Sequence, residues 1–292
     1  MTTDETGLII FTGASSRGWH RLQQAAECLQ KYAWHYGTKT THGVVDREED
    51  RKRPALLKGE LMHLALAQHY ARIYQVQQGQ DPDKYLDPRE DIAFMADVRG
   101  GREFVGLITS VYMAYCERYY RDADELTIEG IERLFQMTVR DRYLFTGRVD
   151  LMWRDQGGQL WAADHKTTGR LTPAHKDYYA ASGQLIGYQH LTRQQYPDLA
   201  GMKLNLVEIS SSPKFERMTL PRSPAFEMQF EQTVVDIEES IERMEREGRP
   251  LDQWPKAMNE MTCYGRYGAC PFLDRCRWGA GQPVAGNWHI AL

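Results

Sequence analysis

The chain has 292 residues, 42% of them hydrophobic, with 40 acidic and 36 basic side chains and a net charge of −4. That is enough apolar material for a packed core, which excludes wholesale disorder. The charge balance lacks the overall positive excess common in tight polyanion binders, so any nucleic-acid contact has to come from local basic clusters.

In chain order, the N-terminal MTTDETGLII has neither the basic segment nor the long apolar segment of a secretory signal. No window approaches the ~18 consecutive apolar residues of a membrane span. Both point to the cytoplasm, where disulfides are rare, so the five cysteines need another explanation. Residues 15–36 have helical spacing, with serines placed to cap the start. Residues 37–55, broken by Gly37, Gly43 and Pro54, read as a loop. The pattern predicts a helix from about Lys58 to Gln78, a proline-bearing loop over 81–91, and a helix over 103–121. The last carries Tyr112, Tyr115, Tyr119 and Tyr120, expected to pack rather than to stack on bases.

From about residue 126 the character changes. TIEGIERLFQMTV and YLFTGRVDLMW are rich in β-branched and aromatic residues, and Asp155-Gln156-Gly157-Gly158 turns the chain into QLWAADHKT, a hairpin. Helical spacing returns over 177–195. KLNLVEIS (203–210) and FERMTL (215–220) read as strands, and a long charged helix spans about 224–247. The remainder is rich in Gly, Pro and Cys.

Residues two apart on a strand face the same side, so Asp164 and Lys166 project together while His165 points away. Asp150, one hairpin strand earlier, is placed to face the same pocket. Two carboxylates beside an ammonium group make a hard-oxygen site suited to Mg²⁺ or Mn²⁺. A strand-end ion pair would produce Asp-x-Lys as readily, so the surroundings have to decide.

Gly147-x-x-Asp150 followed by Asp164-x-Lys166 resembles the core signature of the PD-(D/E)xK nuclease superfamily, in particular its RecB-like branch. Gly59-x-x-x-His63 is similar to that branch's metal-binding histidine motif, Glu132 to its preceding glutamate, and Gln184-x-x-x-Tyr188 to its downstream motif. The resemblance implies an α/β fold, a central mixed sheet flanked by helices with a restriction-endonuclease-like core over about 55–222, in a single nuclease domain spanning 1–292. It implies a catalytic set of Asp150, Asp164, Lys166, Glu132, Gln184 and Tyr188. His63, Asp150, Asp164 and the main-chain carbonyl of His165 would hold the divalent cation. The implied chemistry is in-line attack of water on phosphorus, with the cation and Lys166 stabilising the developing charge.

Cys263, Cys270 and Cys276 are clustered, which suggests soft-metal ligation by thiolates, and a tetrahedral site wants a fourth, Cys28 or Cys116. The iron–sulfur members of the same nuclease branch, AddB-type helicase–nucleases and CRISPR-associated adaptation exonucleases, carry one cysteine in an N-terminal helix and three after the core. That resemblance implies Cys28 and a 4Fe-4S cluster in a helical lobe built from about 15–36 and 255–280, with zinc as the alternative occupant. The six residues between Cys263 and Cys270 depart from the shorter gap of many relatives.

The expected partner is DNA with a single-stranded end or segment, in recombination, repair, phage DNA processing or CRISPR adaptation. A homo-oligomer or a helicase partner is compatible with it. Candidate phosphate-tracking groups are Arg47, Arg51, Lys52 and Arg53; Arg140, Arg142 and Arg148; and Arg266, Arg275 and Arg277. The first run is mixed with acids, as a solvated surface would be. The rival reading is a non-cleaving DNA-binding or assembly subunit that keeps the fold as a scaffold. A hydrolytic metalloprotein acting on another substrate lacks support, because neither HExxH nor GxSxG occurs.

Overall fold

A computed structural model describes residues 17–37, 54–84, 87–265 and 268–279. The expected loop over 37–55 lies almost wholly outside these residues, as do the proposed capping serines Ser15 and Ser16 and the cations Arg47, Arg51, Lys52, Arg53 and Arg266. The chain divides into two compact units, Met1–His20 with Asp46–Val235, and Arg21–Val45 with Asp236–Leu292.

The first unit is built on a five-stranded sheet of β1 (Thr127–Val139), β2 (Tyr143–Arg154), β3 (Leu160–Thr168), β4 (Leu199–Glu208) and β5 (Phe215–Leu220), ordered as in the sequence. Three neighbouring pairs are antiparallel, and β3 and β4 are parallel, which makes the expected mixed sheet. A parallel pair needs a crossover, supplied here by two helices, Ala174–Ala180 and Gly183–Gln195. The single helix expected over 177–195 is therefore two: the chain breaks at Ala181-Ser182, and Ser182 is extended.

Helix α3 (Pro54–Gln77) packs on the sheet, burying Leu61, Leu66 and Tyr70 with Ile131, Leu151, Trp153 and Val207. Beside it run α4 (Pro88–Arg99) and α5 (Val105–Arg118). Both α3 and α4 correct the expectation that proline marks loop. Pro54 and Pro88 are first helical residues, where a missing N–H costs nothing and the fixed φ suits the helix. Asp87 caps α4 by accepting from the Arg89 N–H at 2.8 Å, and Gly100 closes it at φ 73°. Of the tyrosines on and after α5, Tyr112 and Tyr115 are buried and Tyr120 is exposed.

The second unit joins early and late segments. Helices α1 (Trp19–Glu27) and α2 (Leu29–Tyr36) correct the single helix expected over 15–36. They part at Cys28, whose backbone is extended (φ −165°) and whose thiol accepts from the Lys31 N–H at 3.4 Å, as an N-cap does. Tyr32 and Ala33 pack with Ile241, Met244 and Trp254. The Arg21 guanidinium pairs with Glu238 and donates to the Tyr32 hydroxyl at 2.9 Å. Arginine and glutamate so nearly buried are tolerated only when paired.

Candidate active site

Register places the acidic residues. Ile131 pairs with Leu151 and Arg133 with Val149, so Glu132 on β1 stands opposite Asp150 on β2. The β2–β3 ladder ends at Leu151 and Ala163, and the next residues outward are Asp150 and Asp164. Glu132, Asp150 and Asp164 therefore form one row across three strands, at the point where β2 and β3 part. Glu132 holds φ at 47°, a left-handed conformation that a non-glycine residue rarely adopts.

Around this row the other residues close in. Lys166 Nζ lies 2.7 Å from Asp164 Oδ2. His63 Nδ1 lies 3.4 Å from Asp150 Oδ2, which also accepts the His165 N–H at 2.7 Å. The His63 ring is hydrogen-bonded to the His165 main chain, and Arg148 reaches Glu132 at 3.8 Å. Gln184 donates to the Tyr188 hydroxyl at 2.9 Å, and Tyr188 lies within the electrostatic reach of Asp164, Lys166 and Asp150. Small residues permit this: a Cβ on Gly147 would meet the Tyr188 ring at 2.7 Å.

The electrostatics are those of acids crowded out of water. Burial, opposed by Lys166, lifts Asp150 to about 6 and raises Asp164 as well. Burial and the neighbouring Asp150 raise Glu132 well above the ordinary carboxylate range. Burial opposes charge on Lys166, yet Asp164 and Asp150 outweigh it and hold the ammonium protonated. Burial and Lys166 lower His63 to about 4, so its ring is neutral near pH 7 and has a lone pair to give.

Among the described residues, no three His, Cys, Asp or Glu side chains are gathered closely enough to grip a metal ion as they stand. The donor set nevertheless fits a hard divalent cation. Buried carboxylates in register, with raised pKa values and a neutral imidazole beside them, are relieved by a dication that Lys166 and Arg148 replace only in part.

No spacing in the sequence marks His20. Its neighbour Trp19 lies against Gly183, where a Cβ would fall 2.1 Å from the indole. Burial and Lys166 lower the His20 pKa while Asp164 opposes them, so it stands within reach of the same charges.

In the second unit Cys28, Cys263, Cys270 and Cys276 line one cavity of about 400 Å³, with Lys31, Lys256 and Arg277 among its other walls. Four thiols sharing a cavity ringed by cations fit a soft-metal centre by chemistry, although they are not drawn into ligand geometry. Cys116 is elsewhere, its sulfur 3.8 Å from His69 Nδ1. Arg140 and Arg142 lie at the β1–β2 turn, Arg275 sits over the Trp34 ring at 4.7 Å, and Arg277 donates to the Tyr264 hydroxyl.

Two solved structures resemble the chain distantly. A candidate exonuclease from Eubacterium rectale is 11% identical with a TM-score of 0.46, over 94% of this chain and 97% of that one. SSO0001 is 17% identical with a TM-score of 0.28, over 51% and 70%. No curated protein sequence matches. The family model for the PD-(D/E)XK nuclease superfamily matches residues 19–277, a span that includes every residue of the acidic row, and the chain belongs to that superfamily.

Proposed function

We propose that the chain is a Mg²⁺- or Mn²⁺-dependent deoxyribonuclease, acting as an exonuclease on DNA with a single-stranded end. The observation that carries this is the row Glu132–Asp150–Asp164 with Lys166 at 2.7 Å from its last member. His63, Asp150, Asp164 and the His165 carbonyl would hold the cation. When bound, it supplies Lewis-acid polarisation of a phosphoryl oxygen and a water of lowered pKa. Lys166, kept protonated by its acidic neighbours, offers its charge to the oxygen that gains negative charge as phosphorus is attacked. Glu132, whose proton affinity burial and Asp150 raise, stands at the outer end of the row beside Asp150. Gln184 fixes the Tyr188 hydroxyl at the edge of the site, where it can meet the substrate strand.

Cys28, Cys263, Cys270 and Cys276 would hold a 4Fe-4S cluster with a structural role, zinc being the alternative. Their sharing of one cavity supports this assignment, as does the position of Cys116 outside it. Burial raises Cys270 and Cys276, so loading must release their protons.

End-labelled single- and double-stranded DNA incubated with and without Mg²⁺ or Mn²⁺ tests the reading. Metal-dependent cleavage is expected, lost in Asp164→Ala, with product lengths separating stepwise from internal cutting. Bound but uncut DNA in the presence of metal favours the scaffold reading, in which DNA recognition survives without chemistry.

A further inference from the structure

Behind His165 lies a buried polar chain that the proposed chemistry does not use. Asp122 accepts from the Tyr70 hydroxyl at 2.7 Å and from both terminal nitrogens of Arg217, at 3.1 and 2.9 Å. The Tyr70 and Tyr115 oxygens are 2.8 Å apart. Asn205, the register partner of His165 on β4, places its amide nitrogen 2.9 Å from the Tyr115 hydroxyl and 2.8 Å from His165 Nδ1.

Every proton position in this chain follows from the first acceptor. The Asp122 carboxylate only accepts, so the Tyr70 hydroxyl spends its proton there. The contact between the two tyrosines must then be donated by Tyr115. With that proton spent, the Tyr115 oxygen can only accept, so the amide nitrogen of Asn205, not its oxygen, must face it. The same nitrogen faces His165 Nδ1, which must therefore accept, leaving the imidazole proton on Nε2.

The ring so fixed belongs to the residue whose N–H binds Asp150 and whose main chain meets His63. Tyr70 stacks on it at 6.1 Å, and His63 meets it edge-on at 5.9 Å. We infer that Asn205 is a positioning residue for the cation site, and that Asp122, Tyr70, Tyr115 and Arg217 serve as the relay that orients it. By clamping the His165 ring they set where the His165 carbonyl stands. Buried ion pairs add little net stability, so a device of this kind is better explained by the orientation it imposes. The inference rests on the cation-dependent reading above.

The test measures Mn²⁺ binding without DNA, by calorimetry, in the full chain, Asp164→Ala, Asn205→Leu and Tyr115→Phe. Long-range ¹⁵N spectra report the His165 tautomer. Asn205→Leu should weaken Mn²⁺ about 10–100-fold, the usual range for a residue that orients a ligand, with an unchanged circular dichroism spectrum. Tyr115→Phe removes one oxygen and should weaken Mn²⁺ in the same direction while populating the second tautomer. If Asn205→Leu does not fold, Tyr115→Phe decides. Unaltered Mn²⁺ affinity in the folded variants overturns the positioning role while the cation reading stands, as does a His165 ring protonated on Nδ1 in the unsubstituted chain. Absence of Mn²⁺ binding in the unsubstituted chain removes the cation reading itself, and the positioning role with it.

Discussion

Gly59 and Thr167 touch where helix α3 crosses strand β3: a Cβ on Gly59 would lie 2.9 Å from the Thr167 hydroxyl oxygen. One helical turn later the same face presents His63 to Asp150. The glycine is therefore a distance constraint on the histidine. Gly59→Val should push α3 outward and weaken Mn²⁺ binding, whereas Gly59→Ala with Thr167→Ala should recover much of the loss, since the obstructing oxygen is gone. Simple additivity of the two alanine substitutions in calorimetry would refute this steric account.

Asp164 and Lys166 should separate binding from chemistry. Asp164→Ala removes a carboxylate from the acidic row and should abolish both Mn²⁺ binding and cleavage. Lys166→Ala leaves Asp164 without its ammonium partner, so Mn²⁺ binding should persist or tighten while cleavage falls by at least ~100-fold, as when a charge-stabilising group is lost. Parallel loss of Mn²⁺ binding in Lys166→Ala would contradict the separation.

Asp91 on α4 is buried with neither carboxylate oxygen hydrogen-bonded, and that burial raises its pKa to about 6 from 3.8. A carboxyl raised on folding contributes stability that is present below its unfolded pKa and lost as pH rises through its folded one. Asp91→Asn should therefore be near neutral at pH 4. It should then gain progressively to about pH 6 and level off above it at an advantage of about 3 kcal/mol. Urea titrations at pH 4, 5, 6 and 7 measure this; a difference independent of pH would exclude it.

Purified without oxygen, the protein should be brown and hold four irons, and Cys270→Ser should bleach it. Cys116→Ser should leave the colour intact, because that sulfur lies by His69. A colourless preparation with one equivalent of zinc would transfer the four thiols to the alternative metal.

Alternation along QLWAADHKT was sufficient to pair Asp164 with Lys166 and to turn His165 away from them. The hairpin followed from its glycine turn, and β1 and β2 from runs of β-branched and aromatic residues, whereas β4 was expected only from Lys203 and begins four residues earlier, at Leu199. Helix starts were harder. Pro54 and Pro88 read as breakers because a proline's effect depends on whether the residues that follow it are helical. The interruption at Cys28 was hidden inside unbroken helical spacing, since a capping thiol leaves no mark in periodicity. The alternation also did not show that Glu132 is strained. Asn205, Tyr115, Asp122 and Arg217 form no motif at all, because their relationship is made by the β3–β4 register and the helices packed beside it.

The stitching of the second unit from both ends of the described chain has a consequence for biosynthesis. Trp34 packs 5.4 Å from Phe272, Tyr32 packs 6.0 Å from Trp254, and the Gln30 N–H is accepted by the Pro255 carbonyl. Helix α2 thus leaves the ribosome with its aromatic face bare, some 220 residues before its partners are made. At ~5–20 residues per second that interval is about 10–40 s. The sheet-bearing core can be complete well before the cysteine-lined cavity exists, so on the proposed reading any metal enters that cavity only late in the life of each new chain.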